Sequence, residues 1–137
     1  MLYKDAVEIK ADSGETSEQY QPEDAAKHQM LFDKVDISKV AIRDNGELKC
    51  GRGQIITKKF KYLNSTENQL SIEVISNAPA VVVIKTPVLI IPPDSQDQIK
   101  FVINTPKTPC LLDAKILIRN LTTLGVEELI LFRIDVD

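Results

Sequence analysis

From Val35 onward, apolar and polar side chains alternate with period two, beginning with the short segments Val35/Ile37 and Val40/Ile42, and turn residues interrupt the alternation at regular spacing. Ile56, Phe60 and Tyr62 share one face of a strand and Lys59 and Lys61 the other, with Asn64-Ser65 ending it. Leu70, Ile72 and Val74 alternate with Ser71 and Glu73, and short apolar runs follow at 81–84 and 88–91. Pro92-Pro93-Asp94-Ser95 then makes a corner, because proline has no N–H to give a central ladder. Ile99, Phe101 and Ile103 form the next strand, and Leu112, Ala114, Ile116 and Ile118 another. Ile130, Phe132, Ile134 and Val136 form the last. No helical pattern lies between these segments to make a crossover, which excludes an α/β fold. The expectation is all-β: a seven-stranded antiparallel two-sheet sandwich.

The first part of the chain differs in charge and pattern. Residues 1–50 hold 7 basic and 11 acidic residues, net −4, whereas 51–137 carry +1. Leu2, Val7 and Ile9 suggest a short strand or the tail of a preceding element, and the small polar stretch at 11–18 reads as a flexible linker, since it buries too little apolar surface to offset the entropy of ordering. Pro22-Glu23-Asp24 opens a short helix ending near Phe32: proline suits the first turn and carboxylates the positive end of the helix dipole. Asp44-Asn45-Gly46 predicts a tight hairpin. The organisation expected is residues 1–34 as strand, linker and helix, then a sandwich over 35–137. The chain has no tryptophan and no antibody-like cysteine spacing, which argues against a true immunoglobulin domain but not against the same architecture.

Composition narrows the chemistry. A net charge of −3 and a pI near 5.2 give no electrostatic reason for nucleic acid or anionic lipid as the main partner. No run reaches the ~18 apolar residues of a spanning helix, and the start lacks a signal-peptide pattern, so the expected location is cytoplasmic with no membrane insertion. The single histidine, His28, has no second histidine to help bind metal. Cys50 and Cys110 lie outside any metal-binding spacing and are expected as reduced thiols, with activation of Cys50 by Arg52 as the alternative. Gly51-Arg52-Gly53 is too short to cradle phosphate. Glu127 and Glu128 fall on opposite faces of a strand, which is poor geometry for paired-carboxylate catalysis. Asn64-Ser65-Thr66 and Asn120-Leu121-Thr122 read as turn chemistry. Neither enzyme activity, cofactor, metal nor small-molecule substrate is expected.

Three elements carry a resemblance to a known family. The first is Phe60-Lys61-Tyr62-Leu63-Asn64-Ser65-Thr66, a strand ending in an asparagine-centred turn. The second is a strand ending in Ile75-Ser76-Asn77-Ala78-Pro79, and the third runs from Val88 through the proline corner to Phe101. Over about 80 residues this order resembles the major-sperm-protein (MSP), or PapD-like, sandwich and its ciliary and centrosomal relatives, the ASH domains. The resemblance implies a non-catalytic protein-binding or scaffold domain of a larger protein at the cilium base, transition zone or centrosome, associated with the cytoskeleton. One branch, the membrane-contact proteins resembling VAP, reads acidic peptides with a lysine where this chain has Ile75, which argues against that specificity. The periplasmic PapD branch requires a secretion signal.

Candidate interaction residues come from side chains on the wrong phase. If Ile130 and Ile134 point inward, Leu129 and Leu131 point outward, as do Leu117 and Ile75 on their strands. Such a face either binds a neighbouring domain or partner chain or is covered by the N-terminal helix through Ala26, Met30 and Leu31. Lys59 and Lys61 are the second candidate, a cationic strip for an acidic partner. The alternative mode is a peptide-binding module acting by strand addition at an open sheet edge.

Overall fold

The period-two segments become eight strands among the described residues, which in this computed structural model are 22–137. Helix α1 spans Pro22–Lys34, followed by β1 (Ala41–Cys50), β2 (Ile55–Asn64), β3 (Leu70–Ser76) and β4 (Val82–Ile84). After these come β5 (Val88–Ile91), β6 (Ser95–Asn104), β7 (Cys110–Asn120) and β8 (Val126–Val136). The chain divides into two units, Met1–Asp33 and Lys34–Asp137. The early strand and the linker expected near residues 2–18 lie outside the described residues. Within α1, Gln29 Nε2 donates to Asp33 Oδ1 at 2.9 Å, an i,i+4 link along one helix face.

The strands form a five-stranded sheet in the order β1-β8-β7-β3-β5 and a three-stranded sheet in the order β2-β6-β4. This is the expected sandwich with one strand more than seven and with one parallel pair, β1 against β8. The extra strand corrects the reading of Asp44-Asn45-Gly46. These residues do not turn a hairpin; they sit inside β1, where the register with β8 slips between Asp44 and Glu47. Gly46 takes φ +77° and its N–H is accepted by Asp44 Oδ1 at 2.9 Å, so the same residues that favour a tight turn here make a bulge.

Between the sheets the inward side chains make one core. Ile72, Val74, Ile116, Ile118, Ile130 and Ile134 come from the larger sheet, and Tyr62, Val82, Ile99, Phe101 and Ile103 from the smaller. Burying each aliphatic side chain contributes about 1.5–3 kcal/mol. Phe101 sits between Phe60 and Phe132, with ring centroids 6.3 and 5.8 Å away, and so ties the two sheets together.

The family-like elements prove to be structural joints. Asn64 is 1% exposed; its amide donates to the carbonyls of Asn68, Ile91 and Pro92 at 2.8–3.1 Å. Its Oδ1 accepts from the Thr66 N–H and hydroxyl. One side chain thus fastens the asparagine turn to the proline corner, where Asp94 takes φ 51°. Asn77 Oδ1 accepts the Lys115 N–H at 2.8 Å and Nδ2 donates to the Asp113 carbonyl at 3.3 Å, extending the β3–β7 ladder by a side-chain rung. Asn120 Oδ1 accepts from the N–H groups of Thr122 and Thr123, so both sequons are indeed turn chemistry.

Candidate functional site

Register places the sequence candidates on two different outward faces. On the larger sheet, Ile42 pairs with Leu129, Leu129 with Leu117 and Leu117 with Ile75, a continuous apolar row across β1, β8, β7 and β3. Sequence reasoning placed three of these four outward and missed Ile42. Leu117, Leu129 and Ile75 are buried, at 0–2% exposure, and Ile42 is 45% exposed. Leu131 lies one rung along, opposite Asp44 and Lys115, and is half-buried. Beside it is an open groove of about 500 Å³ lined by Asp44, Gly46, Glu47, Lys115 and Arg133. Charged rungs flank the apolar row. Glu73 and Arg119 pair at 2.6 Å, and Asp113 and Arg133 at 3.0 Å.

On the smaller sheet, Lys59 pairs with Lys100, and the Lys85 N–H donates to the Lys100 carbonyl at 2.8 Å. Lys59, Lys100 and Lys85 therefore form one row across β2, β6 and the end of β4, with Lys61 one step further along β2. All four are exposed, and among the described residues none makes an ion pair. The other outward positions of β2 are Ile55, Thr57 and Leu63, so no carboxylate shares the outward side of this strand.

Several of the remaining titratable groups are engaged within the fold. Glu128 Oε2 accepts from Arg43 Nε at 2.8 Å, and the Arg43 guanidinium lies 5.4 Å from the centre of the Phe60 ring. Glu127 accepts from Asn120, so the two glutamates do diverge. Tyr62 lies close to this pair, and burial, reinforced by Glu128 and Glu127, pushes its phenol up to about 12. Cys50 and Cys110 are free and lie opposite Val136 from either side, two strands apart, or about 10 Å at ordinary strand spacing, which is too far for a disulfide. Burial pushes the Cys50 thiol up, with Asp135 adding to the effect, which overturns the alternative of a thiol activated by Arg52. Among the described residues no group of three or more His, Cys, Asp or Glu comes together to hold a metal ion. Among them, too, no helix is long and apolar enough to cross a membrane.

No protein-family model and no curated protein matches the chain. Among solved structures it is similar to the ASH/PapD-like domain 7 of human CEP192, at 8% identity over 70% of this chain and 80% of that one, with a TM-score of 0.50. It is also similar to a family 123 glycoside hydrolase from Clostridium perfringens, at 8% identity over 82% of this chain but only 25% of the enzyme, with a TM-score of 0.53. A third likeness is to SSP-19, an MSP-domain protein of Caenorhabditis elegans, at 8% identity over 63% of this chain and 90% of that one, with a TM-score of 0.48. At such identities the likeness is one of fold: an immunoglobulin-like sandwich of the MSP/PapD type.

Proposed function

We propose that this chain is a non-catalytic protein-interaction domain, one sandwich of a larger scaffold at the ciliary transition zone or centrosome. The observation that carries this reading is the outer face of the five-stranded sheet. Where alternation ordinarily puts solvated side chains, Ile42, Leu129, Leu117 and Ile75 form an in-register apolar row, with Leu131 beside an open groove. The ciliary assignment draws on Ser76-Asn77-Ala78-Pro79 and on the last hairpin, residues 115–134, which resemble elements of the tandem sandwiches of nephrocystin-4, a transition-zone scaffold. Partners on this face meet Leu131, Ile42 and the groove rim rather than the buried leucines.

The test is proximity labelling in ciliated cells with the full-length protein, native and Leu131→Glu, together with the melting temperature of the isolated chain. The expected result is labelling of cilium-base proteins, reduced several-fold for some of them by the substitution, with Tm shifted by no more than about 2 °C. Unchanged labelling by a folded variant overturns the face, and labelling confined to other compartments overturns the location.

A second reading, a peptide-binding module acting by strand addition, is favoured by a separate observation. Among the described residues, the ten-residue strand β2 pairs only with β6 and leaves its other edge open.

A further inference from the structure

Among the described residues, strand β2 combines a free backbone edge with the unpaired lysines, and the phase of its ladder decides what each residue offers. The Thr105 N–H donates to the Gln54 carbonyl at 2.9 Å, and on the other side of β6 the Lys85 N–H donates to the Lys100 carbonyl at 2.8 Å and the Asn104 N–H to the Val81 carbonyl at 2.7 Å, so the odd-numbered residues of β6 face β2. With the in-register pairing of Ile55 through Asn64, this assigns the even-numbered residues of β2 to hydrogen bonds with β6. The odd-numbered residues Ile55, Thr57, Lys59, Lys61 and Leu63 therefore turn their N–H and C=O groups toward the free edge. Those same residues carry their side chains on the outward face, where Ile55 is 75% and Leu63 60% exposed. Backbone pairing and side-chain recognition thus fall on the same alternate positions.

The charges select among occupants. If two copies of β2 paired antiparallel through this edge, the edge-facing residues would set Lys59 and Lys61 against one another. Like charges directly opposite are destabilising, so the edge resists a second copy of this chain. Lys58 adds an exposed charge at a position whose phase is inward, another device that discourages unspecific pairing. The row from Lys59 through Lys100 to Lys85 sets like charges side by side, and among the described residues none of these lysines makes an ion pair. Nucleic acid or an anionic bilayer would satisfy the lysines but leave the row of backbone donors and acceptors unused.

We infer that the free edge of β2 accepts an acidic segment of a partner protein as an added antiparallel strand. Its alternate side chains run apolar, acidic, acidic, small and apolar against Leu63, Lys61, Lys59, Thr57 and Ile55. This rests on the strand-addition reading above and names its ligand class. Lysine stems at Lys59 and Lys61 reach carboxylates across the new pair, and Lys100 and Lys85 extend the positive field behind them.

The test is fluorescence anisotropy on the full chain with the labelled peptide Leu-Thr-Glu-Thr-Glu-Thr-Ser-Thr-Val. A second peptide has both Glu changed to Lys, and a third keeps the charges but has N-methyl groups on the backbone nitrogens that face β2. A 20-mer single-stranded oligonucleotide and phosphatidylserine vesicles serve as the other anionic probes. The expected result is micromolar binding of the first peptide, at least about tenfold weaker binding of the N-methylated one, and still weaker binding of the lysine one. The double variant Lys59→Glu/Lys61→Glu, whose changes are confined to exposed side chains, should reverse the preference and bind the lysine peptide. No binding of the first peptide, equal binding of the N-methylated one, a variant that keeps the original preference, or tighter binding of oligonucleotide or vesicles each overturns the inference. Failure here leaves the Leu131→Glu labelling result untouched, so the edge and the broader interaction reading fall separately.

Discussion

Across the outer face of the five-stranded sheet Glu73 meets Arg119 and Asp113 meets Arg133, whereas across the outer face of the three-stranded sheet Lys59 meets Lys100. The first face is largely resolved internally: three of the four residues of its apolar row are buried, and Glu73 and Asp113 find opposite charges on the next strand. The second is left with one sign of charge and an open edge. Both are built from alternating strands that look alike in sequence, so the difference resides in which strands become neighbours. A face whose charges largely cancel leaves a partner only its exposed margin, Ile42, Leu131 and the groove rim, whereas a face that repels itself is held together by the core beneath it and offers its whole charged strip.

The largest effect expected from this contrast is at Leu117. Although it points away from the main core, it is fully buried, so Leu117→Ala should cost about 2–4 kcal/mol in urea or guanidinium unfolding. On the other face the half-buried Val102→Ala removes about two methylene equivalents and should cost under about 1.5 kcal/mol. Equal losses at the two positions would break the comparison at its root.

Asn64 lies next in magnitude and belongs to the joint that both sheets share. Asn64→Ala leaves the Ile91 and Pro92 carbonyls without their side-chain donor and should cost about 1–3 kcal/mol. An unchanged midpoint would show that water replaces the amide without loss. Asn64 also marks how far the sequence could be read. An asparagine closing a strand signals a turn, and the strand phases followed from alternation alone, but alternation does not show that Leu117 and Leu129, set off the main core, are nevertheless buried. The amide's contacts with residues 91 and 92 depend on how the proline corner folds back, which no local pattern encodes. Likewise Asp44-Asn45-Gly46 carries one signal for two outcomes. The bulge wins over the hairpin because β1 finds its partner in β8, far along the chain. The pairing of Lys59 with Lys61 on one face was readable from spacing, but the alignment of Lys100 and Lys85 with them is a matter of register.

The seam between the faces gives a pH prediction. Tyr62 is held neutral by burial and by Glu128 and Glu127, with its phenol pushed up to about 12 against an ordinary value near 10. A raised acid group stabilises the fold fully below its unfolded value, and that contribution fades as pH climbs toward the folded value. The native chain should therefore lose stability between about pH 10 and 12, and Tyr62→Phe should flatten that part of the curve. Parallel losses in both proteins over this window, measured by denaturant midpoint, would assign the alkaline transition to other groups.

The smallest effect is the most discriminating, because its sign differs between the faces. Arg119→Glu sets two carboxylates opposite each other at a half-buried rung and loses the 2.6 Å bond to Glu73, so it should destabilise by about 1–2 kcal/mol. Lys100→Glu makes the same kind of charge reversal in the middle of the lysine row. It replaces a like-charge pair with Lys59 by an attractive one and gives Lys85 an opposite neighbour as well. That substitution should stabilise the fold, by about 0.2–1 kcal/mol, with the gain shrinking at high salt. If the lysine row exists to receive carboxylates from outside, supplying one from within should raise Tm and weaken the acidic peptide together. A Lys100→Glu variant that melts lower than the native chain would mean that the row is not electrostatically strained, and the contrast between the two faces would then rest on the apolar row alone.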